Sequence, residues 1–344
     1  KALIFYKRYK IYDEATKIIS DIQRPTNSEF EQKTEPSEIL NNINLDNKNI
    51  IITGGYSGIG LETTKALRGA GARTIIPAKR KEVAKAELKD VVPKEDIFEM
   101  DLADLNSVKK FTNSFHDLNI NLDILINNAG IMACPETRVG NEWESQFAVN
   151  HIGHHLLTKE LMDSFNENGE SRLVSLSSSA HSITKILWDD IHYENGKYNK
   201  WTAYGQSKTA SSLLAIEFDR KMKNKGVRGF AVHPGGIITP LQRHLANEEM
   251  VALGWKKEDG SLSDLAANFF KSPTQGASTT LWCATNPVLN NIGGVFCENC
   301  DIAELKGNLD ESQHRFFGVA DWAIDSEEAI KLWEVTDKMI SDYF

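Results

Sequence analysis

The chain has 344 residues, a formal net charge of −9 and a hydrophobic content of 41%. These values allow a large α/β core, and the acidic balance argues against nucleic-acid binding, which relies on basic patches that face phosphates. The 4 cysteines are too few for a disulfide framework and favour a reducing, cytoplasmic location, while no apolar run reaches the roughly 18 residues that a transmembrane segment needs.

Residues 1–45 are predicted to form an N-terminal extension that ends in a polar linker, and residues 46–344 a single catalytic domain. The stretch from Lys1 to Ile22 could form a helix, although its apolar stripe is imperfect and it does not match a secretory signal. We therefore favour an arm that packs on the domain over a membrane-surface or partner-binding helix.

From Asn49 onwards, short apolar strands alternate with amphipathic helices. Several strands lack alternating polar residues, as expected for a sheet covered on both faces. The regular alternation of strands and helices implies parallel strands joined by right-handed crossovers. The sequence predicts an α/β fold, namely a Rossmann-type doubly wound parallel sheet of about seven strands in a three-layer α/β/α sandwich. The predicted strands are Asn49–Thr53, Arg73–Ile76, Asp96–Met100, Ile124–Asn127, Arg172–Ser177, Arg228–His233 and Gly293–Phe296. The predicted helices are Ile59–Gly69, Glu82–Leu88, Leu105–His116, Glu142–Phe165, Thr202–Lys223, Thr274–Thr285 and a C-terminal helix within Trp322–Phe344.

A glycine-rich loop joins the first strand to the first helix. Its sequence is Gly54-Gly55-Tyr56-Ser57-Gly58-Ile59-Gly60. Glycines let a backbone turn tightly and approach phosphates, and a helix N-terminus offers free N–H groups and the positive end of a dipole. The spacing alone is a weak signal, since such a loop can be a plain turn, but its position favours pyrophosphate binding. The residues expected to bind the dinucleotide here are Gly54, Ser57, Gly58, Ile59 and Gly60.

Two basic residues, Lys79 and Arg80, end the second strand. In a Rossmann unit this position faces the adenosine ribose, where an acidic side chain suits NAD and basic side chains suit the 2′-phosphate of NADP. No acid stands here. The pair therefore favours NADP(H), unless it is only a solvated start to the next helix.

The ends of three further strands extend the dinucleotide site. Asp101-Leu102 follows the third strand, where a side chain could accept from the adenine amine, although Asp101 could instead cap the next helix. Asn127-Asn128-Ala129-Gly130 ends the fourth strand with small residues that allow backbone contact, although its amides could simply tie strands together. His233-Pro234-Gly235-Gly236, continuing to Thr239, would form a backbone platform for the nicotinamide carboxamide.

A tyrosine and a lysine four residues apart, Tyr204 and Lys208, open a long helix. Residues at this spacing share a helix face, and an ammonium near a phenol lowers the phenol's pKa from its usual value of about 10. That pair would suit acid/base work at neutral pH. Such pairs are common on helix surfaces, so the spacing alone is weak.

Two further features support this pair. Ser177-Ser178-Ser179 ends the fifth strand, at the sheet edge where open α/β folds bind ligands. A serine hydroxyl there could donate to a carbonyl oxygen beside Tyr204. Asn150 lies in an otherwise apolar helix, where a buried amide needs partners and could hold a water that links to Lys208.

Taken together, these motifs resemble the short-chain dehydrogenase/reductase family over roughly residues 48–300. The matching positions are Thr53, Gly54, Gly58, Gly60, Asn127, Asn128, Ala129, Gly130, Asn150, Ser178, Tyr204, Lys208, Pro234 and Gly235. The run from Ser177 to His181 and the long gap before Tyr204 are similar to the retinol-dehydrogenase-like and WW-domain-oxidoreductase-like branch. By this resemblance the serine role falls to Ser178, with Ser177 and Ser179 as alternatives.

The resemblance implies an oxidoreductase that transfers hydride between NADP(H), or alternatively NAD(H), and a carbonyl or alcohol substrate. Ser178 would polarise the oxygen, Tyr204 would protonate it, Lys208 would tune Tyr204 and orient the ribose, and Asn150 would support a water relay. No metal is required. The resemblance also suggests a homodimer or homotetramer built through the helices that carry Asn150 and Tyr204. The alternatives are a catalytically idle NADP(H)-binding sensor or scaffold, and a lyase or epimerase on the same fold.

Other features have weaker interpretations. His151 and His155 have zinc-ligand spacing, but no further ligands complete a site. The run Cys297-Glu298-Asn299-Cys300 follows a strand and has no second pair, which makes zinc and redox roles weak. The aromatic insertion Ile186–Trp201 could border the substrate pocket, and Leu241–Ser272 is either a lid over it or an ordinary surface helix pair.

Overall fold

The computed structural model describes residues 22–343, and a central sheet dominates that part of the chain. The strands are β1 (Asn49–Ile52), β2 (Arg73–Ala78), β3 (Ile97–Glu99), β4 (Ile124–Asn127), β5 (Arg138–Val139), β6 (Trp143–Glu144), β7 (Ser171–Leu176), β8 (Val227–His233), β9 (Val295–Glu298) and β10 (Asp301–Ile302). Eight of them form one sheet in the order β10-β9-β8-β7-β4-β1-β2-β3, while β5 and β6 pair separately. The predicted α/β fold is confirmed; the eighth strand, the short antiparallel β10, is an addition to the predicted seven.

Helices flank this sheet. They are α1 (Pro36–Ile39), α2 (Gly58–Gly69), α3 (Lys81–Glu87), α4 (Leu105–His116), α5 (Gly153–Leu161), α6 (Lys200–Met222), α7 (Asn247–Ala252), α8 (Asp264–Phe269), α9 (Pro273–Thr285) and α10 (Ser326–Met339). A π-helical turn, Ala148–Ile152, leads directly into α5. The side chains of Asp104 and Asn199 accept from first-turn N–H groups of α4 and α6, which explains where those helices begin.

Strand β1 contains three consecutive isoleucines because both of its faces are buried. Ile51 packs into one core together with residues of α4, α5 and α6. Its neighbours Ile50 and Ile52 point to the opposite face and pack into a second core with residues of α2 and α9. Successive side chains of a strand alternate between faces, so a sheet covered on both sides needs apolar residues at every position. The carboxyl ends of the strands are thereby left as the open edge.

The C-x-x-C run forms the turn between β9 and β10. Glu298 pairs with Asp301, and the residues between them, Asn299 and Cys300, have φ angles of 49° and 59°. Two consecutive residues with positive φ are typical of a tight two-residue hairpin. All four cysteines of the chain are free thiols and are buried.

The described part of the N-terminal extension packs against this sheet edge. The Gln23 side chain donates to the carbonyl oxygens of Phe296 and Ala303 and accepts from the N–H of Phe296. Asp301 accepts from the N–H and hydroxyl of Thr26. The predicted helix from Lys1 to Ile22 lies, except for its last residue, outside the described residues. No helix in residues 22–343 is long and apolar enough to cross a membrane.

The C-terminal helix α10 covers one side of α5 and α6. The Trp333 indole lies 4.5 Å from the His155 ring, and the Lys221 ammonium lies 5.1 Å from that indole. His155 Nε2 also pairs with Asp337 at 2.8 Å. We predicted that subunits would meet through the helices carrying Asn150 and Tyr204. The chain's own C-terminal helix occupies this side of the helices, and the subunit interface stays a prediction.

Candidate active site

A cavity of about 1050 Å³ opens at the carboxyl ends of β1, β4, β7 and β8. It brings together residues that are up to 285 positions apart, from Gln32 to Phe317. The predicted site residues that line it are Gly54, Ser57, Gly58, Ile59, Gly60, Lys79, Arg80, Asp101, Leu102, Asn128, Ala129, Gly130, Ser178, Tyr204, Lys208, Pro234, Gly235 and Thr239. Asn150 is buried behind the cavity wall instead of lining it.

The glycine loop has the backbone that a pyrophosphate site needs. Gly54 and Gly58 adopt φ angles of 65° and 53°, which favour glycine. A Cβ added at Gly60 would lie 2.4 Å from the Gly54 carbonyl oxygen and 2.5 Å from the Asn128 amide nitrogen. Since α2 begins at Gly58, its free N–H groups lie at the cavity wall. The loop therefore fits a dinucleotide phosphate.

Asn128 ties the ends of β1 and β4 together, which was the alternative role for an amide at this position. Its side chain donates to the Thr53 carbonyl oxygen at 2.8 Å. The Thr53 hydroxyl accepts from the N–H groups of Asn128 and Ala129, both at 2.9 Å. Asn127 instead points away and donates to Thr158. These bonds fix the backbone of Ala129 at the cavity surface.

His154 extends this network, and sequence reasoning missed it. Its Nδ1 bonds the Asn150 carbonyl oxygen at 3.0 Å, and its Nε2 lies 2.9 Å from the Thr53 hydroxyl. A carbonyl can only accept, so Nδ1 carries the proton and Nε2 accepts from Thr53. Burial lowers the His154 pKa to about 4, which keeps the ring neutral. The only sign of this contact in the sequence is that His154 lies four residues after Asn150, on the same helix face.

Asn150 holds the loop after Gly130. Its Oδ1 accepts from the Ile131 N–H, while Nδ2 donates to the Ile131 carbonyl oxygen and to the Ser207 hydroxyl, all at 2.9 Å. Both amide hydrogens are therefore engaged, so a water could be held only through Oδ1 or the main chain. A Cβ at Gly130 would lie 3.1 Å from this Oδ1 and 3.6 Å from the Lys208 ammonium. Gly130 thus leaves a cradle that a cofactor ring or ribose can fill.

Tyr204, Ser178 and Lys208 converge at the inner wall of the cavity. Tyr204 and Ser178 both line the cavity, and the Ser178 hydroxyl is near enough to the Tyr204 phenol to influence its pKa. The Lys208 ammonium lies 5.7 Å from the centre of the Tyr204 ring and donates to the Leu176 carbonyl oxygen at 2.9 Å. Tyr204 and Lys208 are 4% and 5% exposed. A phenol, a hydroxyl and an ammonium therefore meet in one largely dry corner.

Burial dominates the charge states in this corner. It raises the pKa of Tyr204 to about 12, with the nearby Ser178 hydroxyl acting in the opposite direction. Burial also lowers the pKa of Lys208 to about 8. We expected Lys208 to bring the phenol's pKa down towards neutrality; that expectation is wrong for this state of the protein, because desolvation outweighs the distant ammonium. The phenol is held as a neutral proton donor.

Of the three adjacent serines, Ser178 is the one that acts on the pKa of Tyr204. The Ser177 hydroxyl donates to the Lys208 carbonyl oxygen at 2.8 Å and accepts from Ser212, so it faces α6. Ser179 lines the cavity, but its carbonyl oxygen accepts from Ser182. The structure thus separates Ser177, whose hydroxyl is engaged with α6, from the serines that line the cavity, which the sequence alone could not do.

The adenosine end of the cavity carries the predicted basic pair. The Lys79 ammonium bonds the Asp101 carboxylate at 2.8 Å, and both side chains are partly exposed. Asp101 also accepts from the Ala103 N–H, whereas Asp104 caps α4. Arg80 lies at the N-terminus of α3 and is exposed. Asp101 therefore does not cap the helix, and its carboxylate lies at the cavity wall beside Lys79.

The predicted nicotinamide platform follows β8. Gly235 has a φ angle of 102°, and a Cβ there would lie 2.8 Å from Cε of Lys271, whose stem supports this turn. Thr239 begins a short 3₁₀ helix, and its Cβ lies 3.5 Å from where a Gly58 Cβ would be. The platform and the glycine loop are therefore neighbours, as the two ends of a dinucleotide site require.

Aromatic side chains form the far wall of the cavity. Of the aromatic residues in the insertion Ile186–Trp201, Trp201 alone lines it. Tyr193 and Tyr198 pack against each other outside the lining, so the insertion borders the cavity through Trp201 and not through its tyrosines. Segment Leu241–Ser272 contributes to this wall, which favours the lid over an ordinary surface helix pair. Its lining residues are Leu241, Gln242, Arg243, Leu253, Trp255, Phe269, Phe270 and Lys271.

Comparisons with known proteins agree with this geometry. Residues 48–250 match the model of the short chain dehydrogenase family. The chain is 36% identical over 304 residues to short-chain dehydrogenase/reductase prx1 of Penicillium roqueforti, covering 87% of this chain and 86% of that one. It is 35% identical over 264 residues to mouse (Mus musculus) retinol dehydrogenase 12, covering 75% and 80%. The solved structure of an uncharacterised protein from Mycobacterium Paratuberculosis has 27% identity and a TM-score of 0.66, over 88% of this chain and 97% of that one.

The chain therefore belongs to the short-chain dehydrogenase/reductase family and is an oxidoreductase. Within that family it falls in the retinol-dehydrogenase-like branch, which the sequence resemblance also indicated. Among residues 22–343, no group of three or more His, Cys, Asp or Glu side chains could hold a metal ion.

Proposed function

We propose that the protein is an NADP(H)-dependent oxidoreductase that interconverts a carbonyl compound and an alcohol, with Tyr204 as the general acid and base. The convergence of Tyr204, Ser178 and Lys208 on one cavity at the carboxyl edge of the sheet carries this proposal. When bound, the dinucleotide supplies or takes up the hydride. Gly54, Gly60 and Gly130 would hold it, because they line the cavity and the absence of side chains at Gly54 and Gly60 allows the tight packing that shapes the loop.

The chain's own residues would handle the substrate oxygen. Ser178 donates a hydrogen bond to it, and the neutral Tyr204 phenol gives it a proton during reduction. Lys208 has one of its donors on the Leu176 carbonyl oxygen, which leaves others for a ribose hydroxyl and for charge stabilisation. Asn150 acts indirectly, through its bonds to Ile131 and Ser207.

The aromatic wall supports a largely apolar substrate. Trp201 and Trp255 pack edge to face at 6.1 Å, and Trp255 packs on Phe270 at 6.0 Å. Large apolar side chains around a few convergent polar groups are typical of small-molecule sites. We also propose that residues 46–344 form one catalytic unit in the cytoplasm, and that any homodimer or homotetramer uses a face other than the one beneath α10.

A panel of apolar aldehydes and ketones with NADPH and NADH, followed by absorbance of the reduced nicotinamide, tests this function. Tyr204→Phe should lower kcat by about 10²- to 10⁴-fold, as loss of a general acid does. Tyr193→Phe is the matched control, since its buried hydroxyl has no hydrogen-bond partner among the described residues and lies outside the cavity. That variant should keep nearly full activity.

Other outcomes would select the alternatives. NADPH binding without turnover of any carbonyl or alcohol would overturn the catalytic proposal and favour a sensor or scaffold. Product formation without net change in NADPH would favour a lyase or epimerase. Equal activity of Tyr204→Phe and the natural protein would remove Tyr204 from the acid/base role.

A further inference from the structure

Two buried histidines contact the peptide unit that joins Ser178 to Ser179, and neither contact was expected from the sequence. His181 Nδ1 lies 2.6 Å from the Ser178 carbonyl oxygen. His233 Nδ1 accepts from the Ser179 N–H at 3.2 Å. These two groups belong to the same peptide unit, the one that joins Ser178 to Ser179. The peptide is planar and rigid, so it is held at both its acceptor and its donor.

The partners of His181 fix which of its nitrogens is protonated. The Ser178 carbonyl can only accept, so Nδ1 must carry the hydrogen. Its Nε2 accepts from the N–H of Ala320 at 3.0 Å, so that nitrogen carries none. His181 is fully buried. It therefore joins the serine loop to the segment that precedes α10.

The partners of His233 fix the opposite arrangement. Its Nδ1 faces two donors, the N–H of Ser179 at 3.2 Å and the N–H of Gly235 at 3.4 Å. A nitrogen that accepts from backbone N–H groups carries no hydrogen, so a neutral His233 is protonated at Nε2. His233 lines the cavity. It therefore joins the serine loop to the platform on which we place the nicotinamide.

Both rings are held neutral by their surroundings. Burial lowers the pKa of His181 to about 4 and that of His233 to about 3. The ammonium of Lys306 disfavours charge on both rings, and that of Lys271 adds to this at His233. Each ring thus has one donor and one acceptor nitrogen, in the arrangement that its contacts require.

We propose that His181 and His233 act as a pair of positioning residues, oppositely protonated and neutral, that clamp the Ser178–Ser179 peptide. This clamp fixes the direction in which the Ser178 side chain leaves the backbone, and so aims its hydroxyl at Tyr204. The proposal rests on the function proposed above for Ser178. It adds that one of the two, His233, also couples the position of Ser178 to the nicotinamide platform, through Gly235.

The protonation pattern can be measured without any activity. Nitrogen-15 NMR of the full chain, labelled at histidine and free of substrate, reports which ring nitrogen carries hydrogen. His181→Gln and His233→Gln assign the signals. The expected result is hydrogen on Nδ1 of His181 and on Nε2 of His233. The same tautomer in both rings, or rapid exchange between tautomers in either, overturns the clamp whether or not the protein proves to be an oxidoreductase.

Activity and cofactor binding separate the two histidines. His181→Leu and His233→Leu should each lower kcat about tenfold, the scale of one lost hydrogen bond. Dissociation constants for NADPH, from its fluorescence, should be unchanged in His181→Leu and raised in His233→Leu, because only His233 bonds Gly235. Wild-type kcat in both leucine variants would contradict the positioning role.

Substitution of each histidine by asparagine or by glutamine gives a matched pair of variants. An asparagine amide lies near the position of Nδ1 and can rotate to donate or accept, whereas a glutamine amide lies near that of Nε2. His181→Asn and His233→Asn should therefore recover kcat to within about threefold of the natural protein, and the glutamine variants should not. Equal kcat in the asparagine and glutamine variants would overturn the proposal even if the leucine variants fail to fold.

Discussion

The Lys208 ammonium lies 5.7 Å from the centre of the Tyr204 ring, yet its hydrogen bond goes to the Leu176 carbonyl oxygen. The two side chains share a helix face, as their spacing requires, but the ammonium does not reach the phenol oxygen as a direct partner. A lysine held in this way is suited to contact a ribose hydroxyl and to stabilise developing charge. Burying this ammonium lowers the stability of the folded protein by an amount that can be measured.

Replacing Lys208 with methionine should stabilise the protein at neutral pH. Burial lowers the Lys208 pKa from 10.5 to about 8, so below pH 8 the folded state holds an ammonium that it disfavours. The substitution removes this cost and loses one hydrogen bond, so the free energy of unfolding should rise by about 1–3 kcal/mol. As pH rises from 8 to 10.5, the natural protein releases this proton on folding and its stability recovers.

Urea unfolding of both proteins from pH 7 to pH 10.5 measures this difference. The difference in unfolding free energy between the two proteins should shrink as the pH approaches 10.5, while Lys208→Met remains inactive at every pH. A gap that does not change with pH, or a less stable variant at pH 7, would contradict the assigned charge state.

Two glycines of α2 provide a matched pair of alanine substitutions. At Gly60 a Cβ would lie 2.4 Å from the Gly54 carbonyl oxygen, whereas at Gly69 no atom lies within 4 Å. Gly60→Ala should destabilise the fold by about 1–3 kcal/mol and abolish detectable NADPH binding, because the glycine loop must move. Gly69→Ala should stabilise by about 0.5–1 kcal/mol and leave binding unchanged. Thermal unfolding measures the stability of each variant, and NADPH fluorescence measures its affinity for the cofactor. Equal stability and equal affinity in the two variants would contradict the role proposed for the glycine loop.

The fold was predictable because its signals are local. The isoleucines of β1 and the amphipathic pattern of α4 mark buried elements in the chain itself. The bounds of β4 agree with those predicted, and most others differ by a few residues. The two-residue β10 was missed, since a strand that short has no periodicity and depends on the turn at Asn299 and Cys300.

The site was predictable where its residues are close in sequence. The glycine loop and the pair Tyr204 and Lys208 fall within single short segments, and the structure places both at one cavity. The contacts of His181 with Ala320 and of His233 with Ser179 join distant segments, so no local pattern announces them. The Tyr204 pKa was misjudged for the same reason, because desolvation depends on everything packed around the phenol.

The choice between NADPH and NADH depends on Lys79 and Arg80. Both line the cavity and are exposed, and Lys79 forms an ion pair with Asp101 from the neighbouring strand end. The double substitution Lys79→Ala with Arg80→Ala should weaken NADPH binding by about 10- to 100-fold through lost charge-assisted bonds. The affinity for NADH should change less than about threefold, since it lacks the 2′-phosphate.

Titration of both dinucleotides against the double variant measures this preference. Lys89→Ala is the control, because that lysine is exposed at the end of α3 but lies outside the cavity. Equal losses for the two cofactors would refute the NADP(H) assignment and leave the oxidoreductase proposal intact.

Docking of α10 on α5 and α6 should contribute strongly to stability. Trp333 is 5% exposed, and its indole lies 4.5 Å from the His155 ring and 5.1 Å from the Lys221 ammonium. Trp333→Ala should cost about 3–5 kcal/mol, as loss of a large buried aromatic side chain does. Glu334→Ala, on the exposed side of the same helix, should change stability by less than about 0.5 kcal/mol. Because both residues lie far from the cavity lining, the folded fraction of each variant should keep its NADPH affinity. A Trp333 variant as stable as the Glu334 variant would show that α10 is dispensable, and would reopen this side of α5 and α6 to a second subunit.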